Sequence, residues 1–148
     1  MTPAAPVVHY WRLYTDAAGV SRLGRCEFTE FRLQSMQPPA APQWQSAQTR
    51  ANMTVLVTVQ PVGWLGTWHE NPKPQWIVPL SGRWFVESMD GTHIEMGAGE
   101  ISFGGDQNCR AVGEKRGHLS GTVGDVPAVL MVIQFNDAAL PASTCAVG

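Results

Sequence analysis

His69, Asn71 and Gln75 lie within the run His69-Glu70-Asn71-Pro72-Lys73-Pro74-Gln75, and a second imidazole, His118, follows Gly117 much later. Imidazoles and amides at this spacing suit one metal or ligand site inside a β-barrel. If Thr67–Asn71 is a strand, its two-residue period places His69 and Asn71 on one face, with Trp68 and Glu70 on the other. Pro72 and Pro74 then enforce a tight turn poor in hydrogen bonds. An antiparallel return brings Gln75 close to His69 and Asn71, and His118 starts a strand on the facing side. No carboxylate stands where it would most help to hold a divalent cation. Asp106 and Glu114, in the loop from Gly104 to Gly117, are either groups for acid/base work and charge compensation or solvated loop carboxylates. Cys109 in the same loop is a thiol ligand or nucleophile, or else a plain loop residue. Glu87, Asp106 or Tyr14 could supply a base. His9 and His93 fall outside the pattern and read as surface residues.

The elements that must position these residues are strands. Short runs rich in β-branched and aromatic residues recur between Gly, Pro, Asn and Asp, the pattern of an all-β sandwich or barrel. They predict strands at His9–Tyr14, Arg25–Leu33, Thr54–Gln60, Gly66–Glu70, Gln75–Leu80, Arg83–Ser88, Thr92–Met96, Glu100–Phe103, His118–Val123 and Ala128–Phe135. Asp90-Gly91 marks a hairpin, because both residues tolerate positive φ, and Ser81-Gly82 makes the turn before it. The wall around the site is expected to be apolar, built from Ile77, Phe85, Ile101, Phe103, Leu130 and Val132, as small-molecule pockets are. Of the six tryptophans, Trp68, Trp76 and Trp84 flank the site. Trp68 and Trp76 have the parity opposite to His69 and Gln75, so they should point away from the lumen. They form either a sheet-packing or dimer surface or ordinary core packing.

Domain organisation is simple. Residues 1–53 carry N-terminal strands and a Gln/Pro-rich arm, 54–135 form the barrel and 136–148 a flexible tail, all within one domain. The arm, Gln34–Arg50, has five Gln, three Pro and only Arg50 as a charge. It either wraps the barrel, packs on a second subunit or is a mobile surface loop, and Trp44 favours packing.

Composition excludes several function classes. Net charge is −2 with no Lys/Arg run, so neither nucleic acid nor an anionic membrane surface is an expected partner. No signal-peptide pattern opens the chain, and the longest apolar run, Val126 to Ile133, is too short to span a bilayer. Three cysteines, Cys26, Cys109 and Cys145, argue against a disulfide framework. The expectation is a cytoplasmic protein with reduced thiols.

The chain resembles the cupin superfamily, and more closely its small single-domain bacterial members. The first cupin motif has His-x-His, then Glu and, six residues later, Gly. Here it reads His69-x-Asn71, Gln75 and, after six residues, Gly82. Gly99-Glu100-Ile101-Ser102-Phe103 matches the opening of the second motif, with a longer loop before His118. The resemblance spans roughly residues 54–135. It implies a double-stranded β-helix, the cupin jelly-roll barrel, with a divalent metal held at His69, Gln75, His118 and Asn71. Asn71 replaces the second histidine and Gln75 the carboxylate, so the ion's charge would go uncompensated. Two readings stay open. One is a metal-assisted isomerase, lyase or hydrolase acting on a small carbonyl or carboxylate compound, with Mn, Fe, Ni or Zn bound. The other is a metal-free, non-catalytic module that binds a small molecule through His69, Asn71, Gln75 and His118. A homodimer is expected in either case.

Overall fold

A computed structural model describes residues 4–35, 37–47, 52–137 and 143–145. The described chain is all-β. In order, its strands are β1 (His9–Thr15), β2 (Ser21–Phe28), β3 (Arg32–Gln34), β4 (Gln43–Gln45), β5 (Met53–Gln60), β6 (Gln75–Ser81), β7 (Arg83–Ser88), β8 (His93–Gly97), β9 (Ser102–Gly105), β10 (His118–Val123), β11 (Ala128–Phe135) and β12 (Ser143–Cys145). A seven-stranded sheet runs β12-β2-β1-β9-β6-β11-β5, and a three-stranded sheet runs β10-β7-β8. Pairing is antiparallel except between β1 and β9. No helix among the described residues is long and apolar enough to cross a membrane.

The two sheets pack face to face. Their shared core draws Leu13, Ile77, Ala128, Leu130 and Val132 from the large sheet and Trp84, Val86 and Met96 from the small one. This is a sandwich with open edges rather than the closed barrel expected. The reason lies in residues 61–74, where the predicted strand Gly66–Glu70 does not form. Only two isolated bridges, Leu65↔Gly121 and His69↔His118, tie this segment to β10. From 65 to 69 is four steps, while 121 to 118 is three, so one extra residue interrupts the ladder. Beyond His69 the Asn71 N–H turns to the Asp106 carboxylate instead of to β10, and Pro72 and Pro74 have no N–H to donate.

A second cluster, Tyr10, Cys26, Trp76, Phe103 and Phe135, joins β1, β2, β6, β9 and β11. The Trp76 ring meets Tyr10 and Phe103 edge-on, with centroids 4.8 Å away in each case. Trp76 therefore points away from Gln75 and Ile77 as its parity requires, yet it is buried core, as is Trp84. Trp68 is half-buried, with the Lys115 ammonium 5.4 Å from its ring centroid.

Several further expectations are corrected. Glu30 takes φ 62° and breaks the predicted strand Arg25–Leu33 into β2 and β3. Part of the Gln/Pro-rich arm is ordered as the β3–β4 hairpin, with Leu33 opposite Trp44; 36 and 48–50 lie outside the described residues. Within the predicted tail, β12 adds to the edge of the large sheet beside β2. Cys26 is disulfide-bonded, and Cys145 stands opposite it in the β2–β12 register, which overturns the expectation of a reduced thiol for Cys26, while Cys109 is a free thiol.

Candidate functional site

Between the sheets lies a cavity of about 180 Å3. Its walls include His69, Asn71, Gln75 and His118, so the fold brings all four sequence-chosen residues to one place. Of the predicted apolar wall, Ile77, Phe103, Leu130 and Val132 line it, and Phe85 and Ile101 do not. On β7 the inward positions are Trp84 and Val86, so the intervening Phe85 must face outward. It stacks on His93 there, with ring centroids 4.4 Å apart. Ile101 packs instead against the Trp76 cluster.

The two imidazoles meet because their backbones do. His69 N donates to His118 O at 3.0 Å and His118 N to His69 O at 2.9 Å. Residues paired this way project side chains to the same side, and the ring centroids are 4.6 Å apart. Gly117 permits the approach: it has φ +78°, and a Cβ there would come within 2.2 Å of the His69 carbonyl oxygen. His69 is exposed, at the rim, whereas His118 is only 5% exposed.

Asp106 organises the inner part of the site. It is fully buried, and its Oδ2 lies 2.7 Å from His118 Nδ1. Its Oδ1 accepts from the Asn71 backbone N–H at 2.9 Å and from Asn71 Nδ2 at 2.8 Å. Burial pushes the Asp106 carboxyl up, but the hydrogen bond and charge of His118, with the two Asn71 hydrogen bonds, outweigh it. The net effect holds Asp106 below the usual carboxylate range. An ionised carboxylate only accepts, so His118 Nδ1 carries a proton and Nε2 is the ring nitrogen left over. By the same logic His69 Nδ1, 2.7 Å from the Thr67 carbonyl oxygen, is a donor.

The amides extend this arrangement into a directional chain. Gln134 Nε2 donates to Gln75 Oε1 at 2.9 Å, Gln75 Nε2 donates to Asn71 Oδ1 at 2.6 Å, and Asn71 Nδ2 donates to Asp106. Every link points toward the carboxylate. Strand register supplies the geometry: Gln75 pairs with Gln134 on one side and with Gly104 on the other. Gly104 leaves room for Asn71, since a Cβ there would lie 2.4 Å from Asn71 Cγ.

The loop between β9 and β10 is anchored to hold Asp106 in place. Glu70 Oε1 accepts from Cys109 N at 2.8 Å and from Arg116 Nε at 3.1 Å. Gln107 Nε2 donates to Asn71 O at 3.1 Å, and the Cys109 thiol donates to Asp106 O at 3.2 Å. Cys109 thus braces the loop from a buried position. Glu114 is exposed, while neither Glu87 nor Tyr14 lines the cavity. Sequence reasoning placed Asp106 in the right loop without seeing its burial. Gln134 escaped it altogether, although a glutamine inside the apolar run of β11 was a visible signal.

As a metal set these residues fit poorly. Asn71 Oδ1 and Gln75 Oε1 already accept hydrogen bonds from neighbouring amides, and both oxygens of Asp106 are turned to His118 and Asn71. Each amide oxygen has one lone pair left. The two imidazole Nε2 atoms are the nitrogens of the set with no hydrogen bond among the described residues, against the three or four His, Cys or carboxylate ligands common in zinc sites. No group of three or more His, Cys, Asp or Glu among the described residues is placed to hold a metal ion. The arrangement suits proton exchange better: an imidazole fixed in one tautomer by a buried carboxylate, facing a cavity of mixed polar and apolar lining. Neither a protein-family model nor a curated protein matches this sequence.

Proposed function

We propose that the chain is a small cupin-type protein that binds a small carbonyl compound between its sheets and exchanges a proton with it through His118. The observation that carries this reading is His118 on the wall of the cavity with the buried Asp106 carboxylate behind its Nδ1. A carboxylate behind Nδ1 fixes the imidazole's orientation and tautomer, which leaves Nε2 to take up a proton and return it. Isomerisation or elimination next to a carbonyl is the reaction class served by one such group. The cupin assignment draws support from the strand sequence: β6, β9 and β11 lie in one sheet while β7, β8 and β10 lie in the other, the back-and-forth course of a jelly roll. The disulfide at Cys26 removes the thiol argument for a cytoplasmic setting.

The test is hydrogen exchange. Small ketones and aldehydes incubated with the protein in D2O should lose their α-proton NMR signals faster than in buffer. His118→Gln should abolish the acceleration. Compounds that bind without catalysed exchange would favour the non-catalytic binding module, and a complete absence of binding would sink the proposal.

A further inference from the structure

Among the described residues, the cavity's lining carries polar groups of several kinds but no Asp, Glu, Lys or Arg. Asp106, the carboxylate behind that lining, offsets any positive charge that His118 takes up. A carboxylate ligand would therefore leave water for a space whose described walls offer no Lys or Arg to receive it, at a large desolvation cost. Polar needs inside the walls are nevertheless unmet. Trp84 Nε1, Ser102 Oγ and Gln60 Oε1 are buried and have no hydrogen-bond partner among the described residues, and all three residues line the cavity. Trp84 is 5% exposed and Ser102 3%. An indole N–H can only donate and a carbonyl oxygen can only accept. Unpaired buried groups of this kind are rare and ask for an explanation.

Taking the cavity as a ligand site, as proposed above, we infer that it selects an uncharged molecule bearing both a carbonyl-type acceptor and an N–H or O–H donor. Primary amides, lactams and hydroxy ketones are the matching class. Ring-sized compounds fit: the cavity is about 180 Å3, and a protein cavity of about 150 Å3 is enough to admit benzene. An acceptor oxygen has Trp84 on one sheet or Ser102 on the other to satisfy, and a donor has Gln60. Anionic analogues of the same shape are rejected for want of a counter-charge.

Benzamide, benzoate and benzene separate these features, being alike in size and different in charge and hydrogen bonding. Binding to the full chain at neutral pH is followed by saturation-transfer NMR and by tryptophan fluorescence. Benzamide should bind at least tenfold more tightly than benzoate and more tightly than benzene. Ser102→Ala should weaken benzamide several-fold while leaving benzene unaffected; Trp84→Phe, if it folds by circular dichroism, should do the same. Benzoate binding as well as benzamide would overturn the inference and leave the cavity standing as a ligand site. So would benzene matching benzamide, or Ser102→Ala leaving benzamide affinity unchanged. If none of the three binds up to its solubility limit, both the inference and the ligand-site reading fall.

Discussion

His118 and His93 each sit beside a carboxylate, one inside the molecule and one on its surface. His118 Nδ1 lies 2.7 Å from Asp106, with side-chain exposures of 6% and 0%. His93 Nδ1 lies 3.5 Å from Glu87, with exposures of 41% and 30%, and its Nε2 lies 3.9 Å from Glu95. Water competes for the second pair and screens it, so its geometry decides little. Around the first pair the protein has replaced water with a chain of amides, and each partner there depends on the next. The same two chemical groups, an imidazole and a carboxylate, make a screened surface contact in one place and a buried, hydrogen-bonded pair in the other. Burial and hydrogen-bond satisfaction make the difference.

Removing the carboxylate is the harshest way to break the contrast. Asp106→Ala strands His118 Nδ1 and two Asn71 donors inside the protein, and urea unfolding should register a loss of about 3–5 kcal/mol. Gln75→Leu comes next. It leaves Asn71 Oδ1 and Gln134 Nε2 without their partners and should cost about 1–3 kcal/mol, with a change in the His118 15N chemical shifts that a purely structural loss elsewhere would not give. Acid sharpens the comparison in another way. The folded-state pKa of Asp106 is depressed, so its contribution is fully present above the unfolded value of about 3.9 and is lost as pH falls through the lower, folded value. The stability gap between the wild type and Asp106→Asn should therefore narrow from pH 7 toward pH 2; a constant gap would contradict the ionised carboxylate. Glu87→Ala should have the smallest effect, about 0–1 kcal/mol. A loss comparable with that of Asp106→Ala would erase the distinction between the pairs.

Much of the strand pattern was readable in advance. Arg83–Ser88, His118–Val123 and Ala128–Phe135 coincide with β7, β10 and β11, because alternation and flanking turn residues act locally. Phe85 was misassigned to the cavity for a related reason. Alternation tells which residues share a face, yet with Trp84, Phe85 and Val86 in a row all apolar, it does not tell which face is inside. Gly66–Glu70 has strand-like composition, but the slipped register against β10 prevents a continuous ladder, and register is a property of two segments. Ser143–Cys145 offered too little hydrophobicity to announce an edge strand.

The sequence by itself determined the all-β class, most strand positions and the gathering of His69, Asn71, Gln75 and His118, since turn residues and two-residue periodicity act over short distances along the chain. Tertiary structure alone decided what the gathered residues do. Asp106 lies 35 positions from Asn71 and 12 from His118, and its burial follows from packing of the β9–β10 loop against Glu70 and Asn71. That placement makes Asn71 a direct hydrogen-bonded support of a carboxylate and Gln75 the support of Asn71. A side chain's hydrogen-bonding capacity is written in its type, but the partner that uses it is set by what the fold brings within about 3 Å.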